Sequence, residues 1–115
     1  MRYLLPDEID SALRRGKSVE HFLGSGKTPG SISWVELRPT QEGLELWFFE
    51  VEDVGDSIYT DIYTFPDTGD SSENPVAVFT SAASAVESAQ QLYGVPPDQW
   101  LNQAVIHDLY AATKS

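Results

Sequence analysis

The chain has 115 residues, no cysteine and a formal net charge of −11 at pH 7. Residues 1–115 fit a single domain, and the lack of cysteine excludes disulfides, thiolate metal sites and cysteine nucleophiles. The negative charge disfavours nucleic acid and anionic membranes as partners and favours cationic ones. We find neither a signal peptide nor the roughly 20 apolar residues of a membrane helix, so we expect a cytoplasmic protein.

The first predicted elements are helical. A helix is expected to begin near Pro6, because proline is favoured in a first helical turn and two acids follow it, and to end at Gly16. A second, short helical turn is predicted over residues 18–24, where a serine provides a cap and a glycine a stop. The segment 24–31 has the composition of a loop.

Three strands are predicted next, over residues 31–38, 43–52 and 57–65. Each is rich in β-branched and aromatic residues, and the connecting segments PTQEG and DVGD are typical of turns. The second and third strands are expected to form a hairpin through residues 53–56.

The length of that turn determines which side chains share a face. An even-length turn puts Trp47, Phe49 and Val51 on the core face. The other face then mixes aromatic rings with carboxylates, and its members are Leu46, Phe48, Glu50, Glu52, Ser57, Tyr59, Asp61 and Tyr63. A five-residue turn between the first two strands adds Trp34 and Glu36 to this mixed face. An odd-length turn at 53–56 would exchange the two faces.

The rest of the chain is predicted to contain a polar loop over residues 66–75, a short strand over 76–79 and a helix over 80–93. A final helix is expected from the prolines at 96 and 97 onward, with a strand over residues 103–106 as the alternative. The predicted fold class is α+β, an antiparallel sheet of three to four strands with N-terminal and C-terminal helices packed on it.

Several patterns resemble sites of known chemistry but are incomplete. The segment GSGKT resembles a phosphate-binding loop, but His21 stands where the pattern requires its first glycine, and Pro29 follows at once. His21 and His107 lack a third convergent metal ligand in the sequence pattern. There is no G-x-S-x-G nucleophile motif. We therefore predict no catalytic residue, no metal site and no cofactor.

The acidic loop over residues 66–75 is a separate case. Asp67, Asp70 and Glu73 carry the oxygen ligands that divalent ions prefer, although their spacing is not that of a calcium-binding loop. A solvated loop and a divalent-ion site both stay open at this point.

Charge is distributed unevenly along the chain. Six of the seven basic residues lie within the first 38 positions, and residues 39–113 contain thirteen acids and no Lys or Arg. Carboxylates without cations nearby in sequence favour a cationic partner, which such a field attracts over a distance. The simpler interpretation is that the acidity only maintains solubility.

The strand DIYTF and the closing run AVESAQQLYGVPPDQWLNQAVIHDLY, together with the small size, acidity and lack of cysteine, resemble a family of small uncharacterised bacterial proteins. More loosely, the chain is similar to the immunity proteins of polymorphic toxin and contact-dependent inhibition systems. That resemblance implies a partner, a cognate toxin domain that is often a cationic nuclease and is held inactive in a tight complex.

From these observations we predict a non-enzymatic acidic binding protein, an immunity protein (antitoxin) that occludes the active site of a cationic toxin. The alternatives are a regulatory or nucleic-acid-mimicking module that binds another basic protein, a small enzyme, and a domain without a catalytic role. We expect a monomer or weak homodimer. The predicted partner-binding residues are Trp34, Glu50, Glu52, Asp53, Asp56, Tyr59, Asp61, Tyr63, Asp67, Asp70 and Glu73.

Overall fold

The structure is a computed structural model and describes residues 2–114. In chain order the elements are α1 (Pro6–Arg14), β1 (Val19–Ser25), β2 (Ser31–Thr40), β3 (Gly43–Glu52), a 3-10 turn (Ile62–Thr64), β4 (Ala77–Phe79), α2 (Ala82–Tyr93), β5 (Leu101–Asn102) and α3 (Ile106–Thr113). The strands form one antiparallel sheet in the order β4-β3-β2-β1-β5. The predicted α+β class with terminal helices is confirmed, but the sheet has five strands rather than three to four.

The helices α1 and α2 form where local signals predict them. In α1, proline lies in the first turn, and the Glu8 carboxylate accepts a hydrogen bond from the Leu5 amide at 2.8 Å. In α2, the Ser81 hydroxyl accepts from the Ser84 amide at 3.1 Å, and Gly94 ends the helix with a φ of 71°. The ends of both helices are therefore determined by residues close to them in the sequence.

The prediction of a helical turn over residues 18–24 is wrong, because this segment is strand β1. It pairs with β2 along most of its length and with β5 through Val19 and Glu20. A helix this short is marginal on its own, so pairing on both sides decides its conformation. A register shift between Phe22 and Gly24 interrupts the pairing with β2, which resumes at Gly24 and Ser25.

The predicted third strand and its hairpin are also wrong. Residues 57–65 form a loop in which Asp56 Oδ1 accepts from the amides of Ile58 and Tyr59, each at 2.8 Å, before the 3-10 turn begins. This Asx-type turn satisfies the backbone locally and competes with strand pairing. The free edge of β3 is instead covered by residues 66–76, whose backbone bonds to Leu46, Phe48, Glu50 and Glu52.

The C-terminal segment is shorter in helix than predicted. Residues 96–100 form a turn region, β5 pairs with β1, and α3 begins only at Ile106. The alternative strand over residues 103–106 is wrong too, since the strand lies at Leu101–Asn102. No helix among residues 2–114 is long and apolar enough to cross a bilayer.

Both faces of the sheet are packed, which the predicted division into a core face and a mixed face did not anticipate. On one face, Leu46 and Phe48 join α1 and α2 in a core closed by Trp100. On the other, Trp34 and Val51 pack with Ile62, Phe65 and α3. This second core consists of Ile32, Trp34, Val51, Ile62, Phe65, Leu101, Ile106 and Tyr110.

The turn between β2 and β3 sets the register. Thr40 pairs with Gly43, so the turn has two residues and not five. Trp34 consequently lies opposite Phe49, and Glu36 lies opposite Trp47, on the face of the second core. The predicted placement of Trp34 and Glu36 beside Phe48 and Leu46 is therefore wrong.

Candidate functional site

A cleft of about 400 Å³ opens on the second face of the sheet, beside the 3-10 turn. It combines aromatic rings with carboxylates, which the other clefts of the described surface do not do to the same degree. Its lining residues are Glu20, Trp34, Glu36, Arg38, Phe49, Val51, Tyr63, Phe65, Asp67 and Gln103.

Strand alternation brings the polar side chains of the cleft together. Residues 34, 36 and 38 of β2 point to the same face, because successive strand side chains alternate. Glu20 of β1 is the direct cross-strand partner of Glu36. Two like charges in this position destabilise a sheet unless other groups compensate. The cleft is thus built around an unfavourable pair.

Glu36 is compensated within the chain. Its carboxylate accepts from Arg38 Nε at 3.1 Å, from a terminal guanidinium nitrogen of Arg38 at 3.0 Å, and from the Ser18 hydroxyl at 2.6 Å. The guanidinium also lies 4.5 Å from the centre of the Trp47 ring. The hydrogen bond with Glu36 raises the pKa of Arg38. Glu36 and Arg38 therefore form a stacked, bidentate ion pair.

Glu20 is not compensated in this way. The residue is only 1% exposed. Its carboxylate accepts hydrogen bonds from the Tyr63 hydroxyl at 2.6 Å and from the Ala104 amide at 2.8 Å. Within residues 2–114 it forms no ion pair with Lys or Arg. Burial raises its pKa, and the nearby charge of Glu36 adds to the shift. The cleft holds two buried carboxylates and one guanidinium.

The uncompensated charge of Glu20 predicts a pH-dependent effect of Glu20→Gln. When folding raises the pKa of a carboxyl group, the group does not lower the free energy of unfolding at pH values below its unfolded pKa of roughly 4.3. It lowers the free energy of unfolding progressively as pH rises above that value. The glutamine oxygen can keep the bonds from Tyr63 and Ala104, both of which reach Glu20 Oε1. We expect Glu20→Gln to raise the free energy of unfolding at pH 7 by about 1 kcal/mol.

Urea unfolding of the variant and the wild type at pH 7 and near pH 4 measures this difference. It should be present at the higher pH and shrink toward zero at the lower one. Glu42→Gln, at the exposed turn between β2 and β3, makes the same charge change outside the cleft and should be neutral. A destabilised Glu20→Gln at pH 7 would show that the carboxylate is satisfied as it stands.

Of the eleven predicted partner-binding residues, the cleft brings together Trp34, Tyr63 and Asp67. The Trp34 and Tyr63 ring centres are 5.8 Å apart, and the Trp34 ring also stacks on Phe49 at 5.3 Å. Trp34 is buried and presents only part of its ring to the cleft, whereas Tyr63 and Asp67 are exposed at its edge.

The placement of Glu50 on a partner surface is wrong. It is fully buried on the opposite face from Trp34, where its carboxylate accepts from the Lys27 amide at 2.6 Å and from the hydroxyls of Thr28 at 3.1 Å and Thr68 at 2.8 Å. Burial acts to raise its pKa, but the hydrogen bonds of Thr68, Lys27 and Thr28 outweigh burial, and its pKa is lowered. Glu50 joins two loops to the sheet.

Other predicted acids also have partners inside the chain. Asp53 accepts from the Tyr110 hydroxyl at 2.5 Å and pairs with Lys114 at 2.8 Å. Asp56 organises its own loop, and the backbone bonds from Tyr59 and Ile58 lower its pKa. The hypothesis that these carboxylates lack an internal cation is therefore wrong for Asp53, whereas Asp56 is held by backbone amides.

The remaining predicted residues lie outside the cleft. Glu52, Asp61 and Glu73 are exposed, with Asp61 3.9 Å from His107. Asp70 accepts from the Thr28 hydroxyl at 2.9 Å. Tyr59 packs its ring edge against Phe65 at 5.0 Å, and its hydroxyl bonds to Thr64. The eleven residues do not form one continuous surface.

The histidines are separated by the sheet. His21 Nδ1 donates to the Gln99 carbonyl at 2.8 Å, and burial lowers its pKa. His107 meets the Tyr63 ring edge-on at 4.5 Å. In the part of the chain that the structure describes, no three His, Asp or Glu side chains are arranged to hold a metal ion.

The sequence interpretation missed Glu20, Glu36 and Arg38 as site residues. Glu20 was missed because residues 18–24 were predicted to be helical, so its position opposite Glu36 was not foreseen. Two polar residues, Glu20 and His21, follow Val19 and precede two apolar ones, so the alternation of a half-buried strand is absent and the segment carries no clear strand signal.

Comparisons with protein-family models, curated proteins and solved structures give no match for this chain. The cleft and the distribution of charge are therefore the features that bear on its function.

Proposed function

We propose that the protein is a non-enzymatic binding protein that neutralises a basic protein partner, as an immunity protein neutralises its cognate toxin. One observation carries the proposal. The aromatic cleft contains two buried carboxylates, Glu20 and Glu36, and a single guanidinium, that of Arg38, which pairs with Glu36. A buried carboxylate without a cation is costly, and a cation on a partner would remove that cost.

The overall charge supports a basic partner. The net charge of −11 attracts a cationic protein and accelerates its association, while like-charged partners are repelled. Aromatic rings that are partly exposed, such as Phe49 and Tyr63, supply the apolar contact that slows dissociation. The cleft and the field therefore favour the same class of partner.

The proposal is tested by growth rescue. Each reading frame adjacent to this one in the native genome is expressed under an inducible promoter, alone and together with the protein. We expect one product to arrest growth alone, to be tolerated with the wild-type protein, and to copurify with it. The Glu20→Gln, Glu36→Gln double variant should rescue growth less well than Glu42→Gln. If no adjacent product is toxic, or if the protein does not relieve the toxicity, the proposal is wrong.

A further inference from the structure

We propose that the cleft binds one arginine side chain of the partner protein, whose guanidinium pairs with Glu20. The existence of that partner rests on the proposed function. The chemistry of the ligand is argued from the cleft alone.

The chain itself already shows how this cleft holds a guanidinium. Arg38 lies over the Trp47 ring at 4.5 Å and donates two hydrogen bonds to Glu36, at 3.1 and 3.0 Å. Stacking on an indole and bidentate pairing with a carboxylate are the two interactions that distinguish arginine from lysine. Glu36, which lines the cleft, and Trp47, which does not, therefore already hold one arginine side chain.

Around Glu20, the cleft offers a carboxylate and aromatic rings without a guanidinium. Glu20 is directly opposite Glu36 across the strands, and the rings of Trp34 and Tyr63 stand beside it in the lining of the cleft. Its acceptors are used only by neutral donors, the Tyr63 hydroxyl and the Ala104 amide. An entering guanidinium would supply the missing positive charge.

The size and walls of the cleft favour arginine over smaller or more hydrated cations. Its volume of about 400 Å³ accommodates a side chain with its apolar stem, at the lower end of ordinary ligand pockets. Phe49, Val51 and Phe65 line it, and these apolar walls can pack against the stem of an arginine side chain. Guanidinium is more weakly hydrated than ammonium, so it loses less when it enters. Asp67 at the exposed rim provides a further acceptor.

The inference is tested on the whole protein with short blocked peptides as probes. The protein is titrated with acetyl-Gly-Arg-Gly-amide. Parallel titrations use the same peptide with lysine in place of arginine, or with citrulline, which is the neutral counterpart of arginine. The readout is the ¹H–¹⁵N signal of the Trp34 indole at low salt. We expect saturable shifts with the arginine peptide in the millimolar range, weaker binding of the lysine peptide and none of the citrulline peptide.

Glu20→Gln should weaken binding of the arginine peptide at least about fivefold, and Glu42→Gln should leave it unchanged. Tyr63→Phe, which keeps the ring, is a second variant if Glu20→Gln alters the fold. Equal shifts with the citrulline peptide, or unchanged affinity in Glu20→Gln, would overturn the inference. Growth rescue without arginine binding would overturn the inference alone. Arginine binding without any neutralised partner would count against the proposed function and not against the ligand.

Discussion

Glu50→Ala is expected to lower the free energy of unfolding by about 4 kcal/mol, because it removes a fully buried carboxylate that accepts hydrogen bonds from two loops. The carboxylate of Glu50 receives hydrogen bonds from the Lys27 amide and from the Thr28 and Thr68 hydroxyls. It also fills the space that Gly26 leaves open, since a side chain at Gly26 would lie closer than 3.0 Å to Glu50. Two loops would lose their common anchor.

Urea unfolding at pH 7 measures this loss, with Glu52→Ala as the matched control. Glu52 is on the same strand but exposed, and its replacement should change stability by less than about 0.5 kcal/mol. A similar small effect of Glu50→Ala would mean that the loops are held by other contacts.

Low pH should weaken the stabilising contacts of Glu50, because it protonates the carboxylate. The pKa of Glu50 is lowered in the folded protein, so its contribution is complete above the unfolded pKa of roughly 4.3 and is lost as pH falls through the folded value. We expect the wild-type protein to lose stability below about pH 4 and Glu50→Gln to depend less on pH in that range. Parallel curves for the two proteins would contradict this prediction.

Tyr110→Ala is expected to destabilise the protein by about 4 kcal/mol, as truncation of a fully buried aromatic residue does. The Tyr110 ring packs edge-on against Phe65 at 5.4 Å, and its hydroxyl donates to Asp53. These contacts connect α3 to the loop that carries Tyr63 into the cleft. Losing them should loosen one wall of the site along with the second core.

Tyr110→Phe separates packing from hydrogen bonding. The variant keeps the ring but removes the donor, while Asp53 retains Lys114 at 2.8 Å, so we expect a loss of only about 1–2 kcal/mol. Thermal unfolding of both variants and amide exchange of residues 53–67 provide the measurement. If Tyr110→Ala leaves the exchange of this loop unchanged, the loop does not depend on α3.

The elements that could be predicted from sequence are those with local signals. The helices α1 and α2 have proline, acidic or serine caps and a glycine stop, and β2 and β3 are long and rich in strand-forming residues. In contrast, β1 is a strand because it pairs with β2 and β5, and β5 is a strand because it pairs with β1. That pairing depends on distant parts of the chain.

The misplaced segment 57–65 shows a second limit. Its aromatic residues suggest a strand, but Phe65 and Ile62 are buried as a cover over the sheet. The acid at position 56 closes a local turn instead of a hairpin. The pattern of apolar residues alone does not distinguish an aromatic-rich strand from an aromatic-rich loop that packs over a sheet.

The charge pattern predicts a cationic partner, which stays a prediction, and it did not locate the cleft. Sequence counts treat every carboxylate without a nearby cation as unmatched, whereas Glu50 is matched by amide and hydroxyl donors and Asp53 by Lys114 near the end of the chain. Glu20 was not singled out, because its isolation depends on a register that only the folded sheet reveals. The proposed partner surface is accordingly narrower than the predicted one.

A ¹³C NMR titration of the Glu20 side-chain carboxyl tests most directly whether this buried charge awaits an external cation. In the free protein, burial should hold the Glu20 pKa above the ordinary value of a glutamate. Saturating arginine peptide should bring it down, because a cation favours the ionised form. A Glu20 pKa in the ordinary range that the peptide leaves unchanged would contradict the proposed site.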